Sequence, residues 1–160
     1  MSFLFIDRIV KLEANRSIVT LKNVALSDEV FRDHFAGCPV MPASLLIESL
    51  NQAATALLEV SAGFRIKALP VMVDRAKFRV LVQPGDQLHI TVQVASLDAG
   101  AAQLEGMIHI AERLAASASL TFTLQDAAAF YPPHAQVWVK STYDFWLKHA
   151  QVSGVPAPHA

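Results

Sequence analysis

The sequence predicts an α+β fold, an antiparallel sheet wrapped around one long central helix. Two periodicities carry that expectation. Between Ala43 and Ser61, Leu46, Leu50, Ala53, Leu57 and Val60 fall on one helical face, and Ile47, Ala54 and Leu58 widen it. Beyond the helix the period drops to two. In "LHITVQVASL", His89, Thr91 and Gln93 oppose Leu88, Ile90, Val92 and Val94. An early helix followed by a run of strands is the pattern of a layered α+β unit.

Taken in order, "FLFIDRIVKLEAN" and "SIVTLKNVAL" read as two short strands about an Asn15–Arg16 turn. "SDEVFRDHF" fits one helical turn or two, with Ser27 as N-cap and Asp28 and Glu29 in the first turn. Pro42 suits the first turn of the long helix, where its missing N–H costs nothing, and Gly63 ends it. So wide an apolar stripe predicts a largely enclosed helix. "IKALPVMVDRAKFRVLV" is a long extended run, "QPGDQ" and "DAGA" are turns, and "AQLEGMIHIAE" and "LAASASLTFTL" are further strands. About three long antiparallel strands are therefore expected after the helix.

Residues 1–124 form the main domain on this reading, and 125–160 a C-terminal extension. "QDAAAFYPPHAQVWVK" holds Pro132 and Pro133 and does not read as one regular element. "STYDFWLKHAQ" predicts a short helix over 141–151, with Ser141 at its N-cap and Asp144 three residues on. Trp138, Tyr143, Phe145 and Trp146 give the extension enough apolar surface to pack on the body or on a partner subunit. The end, "VSGVPAPHA", is expected to fray.

Composition narrows the function classes. Apolar residues are 53% and charged residues 17%, a surplus expected to go into a subunit interface. A net charge of −1 argues against a general nucleic-acid binder. No apolar stretch approaches the roughly 18 residues of a membrane span. The opening "MSFLFIDRIVKLE" lacks the cleavage site of a signal peptide. Cys38, the single cysteine, excludes an internal disulfide and fits a reducing compartment. The expectation is a cytoplasmic oligomer.

The stretch "DHFAGCPVMPASLLIESLNQ" carries the candidate chemistry. Gly37, Pro39 and Pro42 leave the loop around His34 little freedom, and rigid loops hold functional side chains in place. An imidazole titrates near pH 6.5, so one in the neutral form can accept a proton. The loop feeds a helix whose first N–H groups lack internal partners, a ready site for developing negative charge. The plainer alternative is a structural histidine. Glu48 falls with Gln52, Thr55 and Glu59 on the side opposite the leucines, which by periodicity alone makes it a solvent-facing carboxylate. Gln52, one turn on, can hydrogen-bond and orient it.

"HFAGCPVMPASLLIESLNQAA" resembles the signature of the 3-hydroxyacyl-acyl carrier protein dehydratases of fatty-acid synthesis (the FabZ and FabA type). "FLFIDRIVKLE", "IVTLKNV" and "VDRAKFRVLVQPGDQLHITVQV" are similar to that family's flanking strands in the same order, so the resemblance covers about Phe3 to Leu124. It implies a hot-dog fold in which two subunits pair to continue the sheet. It also implies an active site in a tunnel at the subunit boundary, with the histidine from one chain and the acid from the other.

On that resemblance His34 is the base toward C2, and Glu48 is either the acid toward the departing 3-hydroxyl, a role that needs a carboxyl kept protonated in an apolar site, or the holder of a water while His34 returns its own proton. The N–H of Ala43 is the donor to the thioester oxygen and Gln52 orients Glu48. Phe35, Val40, Met41 and Ser44 line the substrate tunnel. The partners implied are an acyl carrier protein or coenzyme A thioester and a second copy of the chain, giving a homodimer or higher even oligomer. No cofactor, nucleic acid or membrane is implied. Two positions depart from the family pattern. Ala36 stands where the family has proline, and Ala43 where it has glycine, which puts a β-carbon beside the amide and disfavours positive φ.

The other candidates are weaker. His89 and His109 lie in alternating strands and read as structural or surface residues. No His/Cys/Asp/Glu spacing suggests a metal. Cys38 reads as a small packed residue. Ser44 lacks an adjacent base to make it a nucleophile. Arg75, Lys77 and Arg79 alternate along "DRAKFRV", as a solvated edge or as a docking patch for an acidic carrier protein. Two further functions compete with dehydration: a hot-dog thioesterase in which Glu48 activates water, and a non-catalytic acyl-carrier binding subunit.

Overall fold

The structure, a computed structural model, describes residues 4–156. The hairpin β1 (Arg8–Glu13) and β2 (Ser17–Asn23) pairs Leu12 with Ile18 and turns at Asn15, whose φ of 57° asparagine tolerates better than most residues. The backbone N–H of Asn15 donates to Ser61 Oγ at 2.8 Å, which pins this turn to the end of the long helix. A 3-10 helix follows at Glu29–Arg32. Its N-cap is Asp28 rather than the expected Ser27, and no side-chain cap bond forms, because the Asp28 carboxylate accepts the N–H of Ala25 instead.

The long helix α1 spans Ala43–Ser61, with the bounds its apolar spacing predicts, and Gly63 just beyond it has a φ of 60°. Four long strands succeed it where about three were expected: β3 (Ile66–Phe78), β4 (Gln87–Leu97), β5 (Ala101–Ile110) and β6 (Arg113–Asp126). The extra one is β3, which is paired with β6 from Ile66 to Phe78 and takes up Pro70 at a register shift. The sheet, completed by a short β7 (Gln151–Ser153), runs β3-β6-β5-β4-β2-β1-β7 and is antiparallel except where β7 joins β1.

The sheet's inner face and α1 make the core. Leu88, Ile90 and Val92 of β4, Leu104 and Ile108 of β5, and Leu120 and Phe122 of β6 are all buried, as are Leu50, Leu57 and Leu58 of the helix. Each such side chain stabilises by about 2 kcal/mol relative to exposure. The helix comes close to β5 at Gly106, where an added Cβ would lie 2.8 Å from Leu50 Cδ2. On the far side of β6 the outer edge of β3 has no strand partner among the described residues, and Val71, Met72, Val73 and Phe78 are exposed along it.

The C-terminal extension differs from its expected form. After the short α2 (Ala127–Phe130), helix α3 runs Pro133–Leu147 rather than 141–151. Pro133 is its first helical residue, where a fixed φ starts a helix instead of breaking one. Ser141 is not a cap but an interior residue whose hydroxyl donates to the Trp138 carbonyl at 2.8 Å. The end expected to fray is in part a strand, β7 (Gln151–Ser153), which lies parallel to β1 with Val152 opposite Leu12. The rest of it, residues 157–160, lies outside the described residues. Among the described residues no helix is long and apolar enough to cross a membrane.

Candidate active site

The His34 loop is closed by its own backbone. Val40 N–H donates to the His34 carbonyl at 2.9 Å, and Phe35 and Cys38 exchange bonds of 3.1 and 2.9 Å around Gly37, whose φ of 78° calls for glycine. Met41 N–H donates to the Val82 carbonyl at 2.8 Å and ties the loop to the body. His34 itself is half-buried, its ring stacked on Phe35 at a centroid distance of 4.1 Å. Of the expected tunnel residues, Val40 and Met41 are buried, whereas Phe35 and Ser44 are exposed. Cys38 is exposed rather than packed, because the tight turn holds it at the loop's tip.

Ala43 and Ser44 head α1 and are exposed. The helix ladder opens with Leu45 and Leu46 donating to the Pro42 carbonyl at 3.0 and 3.3 Å, so the N–H groups of Ala43 and Ser44 come before it. Ala43 is helical and not at positive φ, so its methyl group is held without the backbone strain expected from the sequence.

Glu48 is half-buried and oriented, not simply turned to solvent as periodicity alone suggested. Gln52 Nε2 donates to Glu48 Oε1 at 2.9 Å, while Gln52 Oε1 accepts the N–H of Phe5 at 2.8 Å. The backbone donor fixes which end of the amide is oxygen, and so aims the NH₂ group at the carboxylate. Glu48 and Gln52 line a cleft of about 240 Å³ with Thr55, Leu69, and Tyr143 and Trp146 of α3. His34 does not line this cleft, so a single chain does not bring the expected pair together in it. A larger cavity of about 330 Å³ between the 3-10 helix and β2 holds neither residue.

Further along the same helical stripe, Glu59 is only 2% exposed. Its Oε1 takes the Lys67 ammonium at 2.9 Å and the Ala68 N–H at 3.2 Å, and its Oε2 the Tyr143 hydroxyl at 2.8 Å. Burial works against the Lys67 charge, but hydrogen bonds to Tyr131 and Glu59 outweigh it and raise the ammonium above its ordinary value. Burial, then the Glu59 charge, pushes the Tyr143 phenol well above its usual range. The sequence reading missed this cluster and the wall of the Glu48 cleft. The signal available was the 143/146 spacing, which puts both rings on one face of a helix.

Arg75, Lys77 and Arg79 do line one shallow depression, of about 190 Å³, with Glu105, Ser117 and Ser119. They are not a simple alternating edge. Arg75, at a φ of 50° and a register shift in β3, bonds Glu105 at 2.9 Å and Ser119 at 2.6 Å, so its charge is largely matched. His89 and His109 face each other across β4 and β5. Among the described residues no group of three or more His, Cys, Asp or Glu could hold a metal ion.

Comparison with known proteins places the fold and the lineage. The hot-dog-like protein from Thermanaerovibrio acidaminovorans superposes with a TM-score of 0.61 at 16% identity, covering 79% of this chain and 91% of that one. The 3-hydroxyacyl-[acyl-carrier-protein] dehydratase FabZ of Symbiobacterium thermophilum is 37% identical over 131 residues, 81% of this chain and 92% of that protein. Its counterpart in Coxiella burnetii is 40% identical over 122 residues, 74% of this chain and 86% of its own length. A family model described as the FabA-like domain matches residues 1–120, which take in the His34 loop, α1 and the strands as far as Leu120. The chain is a hot-dog protein and belongs to the FabA-like family.

Proposed function

We propose that the protein dehydrates 3-hydroxyacyl thioesters to trans-2-enoyl thioesters, a step of fatty-acid biosynthesis. The observation that carries this is the Glu48 carboxylate clamped by Gln52 on a cleft, in a chain 37% and 40% identical to two dehydratases. The single chain leaves His34 outside that cleft. One wall of the cleft includes Leu69 and Pro70 of β3, the strand whose outer edge has no partner among the described residues and exposes Val71, Met72, Val73 and Phe78. A second copy pairing along that edge continues the sheet, buries the exposed apolar side chains and supplies the missing histidine. The working unit is on this reading a homodimer with two composite sites.

In each site His34 of one protomer takes the proton from C2. As the enolate forms, the thioester oxygen gains charge and is held by the Ala43 N–H at the head of α1. Such a donor contributes about 3 kcal/mol in enzymes where one has been removed. The C3–O bond then breaks, and the hydroxide leaves as water with the proton of Glu48. A proton passing from the His34 imidazolium to the Glu48 carboxylate resets the pair, so the net change is the loss of one water. Ala43 sits in unstrained helix, so backbone strain there gives no ground for reading the chain as a non-catalytic subunit.

The substrate arrives as an acyl carrier protein or coenzyme A thioester. Lys77 and Arg79, with the part of Arg75 that Glu105 does not neutralise, offer an acidic carrier its docking face. The setting is the cytoplasm, in keeping with an exposed free Cys38. The test is conversion of 3-hydroxyacyl thioesters to the conjugated enoyl product by the purified protein, abolished in His34→Ala. Release of free thiol instead of enoyl product would mark a thioesterase and overturn the reading.

A further inference from the structure

We infer that Trp146, in the C-terminal helix, is the specificity-determining wall that restricts the enzyme to short acyl chains. This rests on the reading of the Glu48 cleft as the acyl site and adds the length of chain it accepts.

Trp146 lines the Glu48 cleft on one side. On the other it lines an open groove of about 510 Å³ with Leu4, Ile6 and Phe145 and with Asp7, Ser141 and Thr142. Among the described residues it is the one that lines both, so it stands where the two spaces meet. It is held firmly there. Trp146 is 6% exposed and packs edge-on to Tyr143 at 5.5 Å, and Tyr143 is anchored by its bond to Glu59 and its contact with Phe64 at 5.2 Å. Swinging the indole aside would break this packing against a ring whose hydroxyl is bonded to a buried carboxylate. An alkyl chain reaching past Glu48 therefore stops at Trp146, and Leu4, Ile6 and Phe145 lie beyond it. The wall belongs to α3, outside the residues 1–120 that match the family model.

The experiment uses the full-length protein and saturated acyl-pantetheine amides of four and twelve carbons, which neither hydrolyse nor dehydrate. Binding is measured by calorimetry, and turnover of the matching 3-hydroxyacyl thioesters alongside. A buried methylene strengthens binding about fourfold. The wild type should bind the long amide no tighter than the short one. Trp146→Ala should shift the long-to-short ratio by about 15-fold or more, the gain from two further methylenes. Trp146→Leu, which keeps an apolar contact on Tyr143, gives the same ratio should the alanine variant fail to fold.

A wild type that binds the long amide far tighter than the short one overturns the inference. So does an unchanged ratio in a folded variant, or no binding of either amide by any of the proteins. Binding without turnover overturns the dehydratase reading alone, and the ratio still decides the wall.

Discussion

Replacing Tyr143 with phenylalanine deletes one oxygen and leaves the ring packed between Phe64 and Trp146. That oxygen donates to Glu59 Oε2 at 2.8 Å, on a carboxylate that is only 2% exposed. A hydrogen bond to a charged group contributes about 1.5–3 kcal/mol. Glu59 keeps Lys67 and the Ala68 N–H on its other oxygen, so the charge is not stranded and the loss should be about 2 kcal/mol. For a chain of this size that is about 4–8 °C in melting temperature. Lys67→Met should cost more, about 3–5 kcal/mol, because it leaves the buried carboxylate without its counter-charge.

The same cluster predicts a pH dependence. Tyr143 and Lys67 both hold their protons more tightly folded than unfolded. Above about pH 10 the unfolded chain releases protons that the folded one keeps, so stability is full below that pH and declines as pH rises. Tyr143→Phe removes one of the two groups and should flatten the decline. Urea unfolding at fixed protein concentration, at neutral and alkaline pH, measures both effects. A neutral-pH loss under about 0.5 kcal/mol, or an alkaline slope unchanged by the substitution, would refute the account of this cluster.

Composite sites predict complementation: His34→Ala and Glu48→Gln homodimers should each be inactive. Mixed and re-associated, they should recover about a quarter of wild-type activity through heterodimers with one intact site. Gln52→Ala should lower kcat about tenfold with little change in KM, since it frees a carboxylate that Gln52 now aims. Gly106→Ala should cost about 1–3 kcal/mol by driving a methyl group into Leu50, and the cost should shrink when combined with Leu50→Ala, both read by urea unfolding. Replacing Lys77 and Arg79 with alanine should raise KM for carrier-bound substrate, chiefly at low salt, and spare coenzyme A thioesters.

Local rules were enough for much of the fold. The spacing of Leu46, Leu50, Leu57 and Val60 placed α1, and alternation through His89 to Val94 placed β4, because both elements bury one face against a single core. The Gln52–Glu48 contact was also legible, being one helical turn. What could not be read were the consequences of the prolines and of long-range pairing. Pro132 and Pro133 look like breakers in isolation, yet a proline at the first helical position costs no hydrogen bond and starts α3. Val152 looks like a loose end, yet β1 offers it an open edge. Each outcome depends on a partner distant in sequence.

The stripe Glu48–Gln52–Thr55–Glu59 shows why periodicity misled at the site. Four polar residues at i+3 and i+4 spacing ordinarily mark the solvent side of a helix. Here that side meets the start of β3 and the face of α3, so the stripe is divided between two tasks. Its first half aims a carboxylate into a cleft, and its second half holds the tail through Glu59 and Tyr143. The tail in turn supplies Trp146 to the lining of that cleft. A chain that ended at β6 would keep Glu48 and Gln52 but lose the cleft's wall and uncover Glu59. The family signature thus accounts for the proposed chemistry, while the limit proposed for Trp146 lies in residues outside that signature.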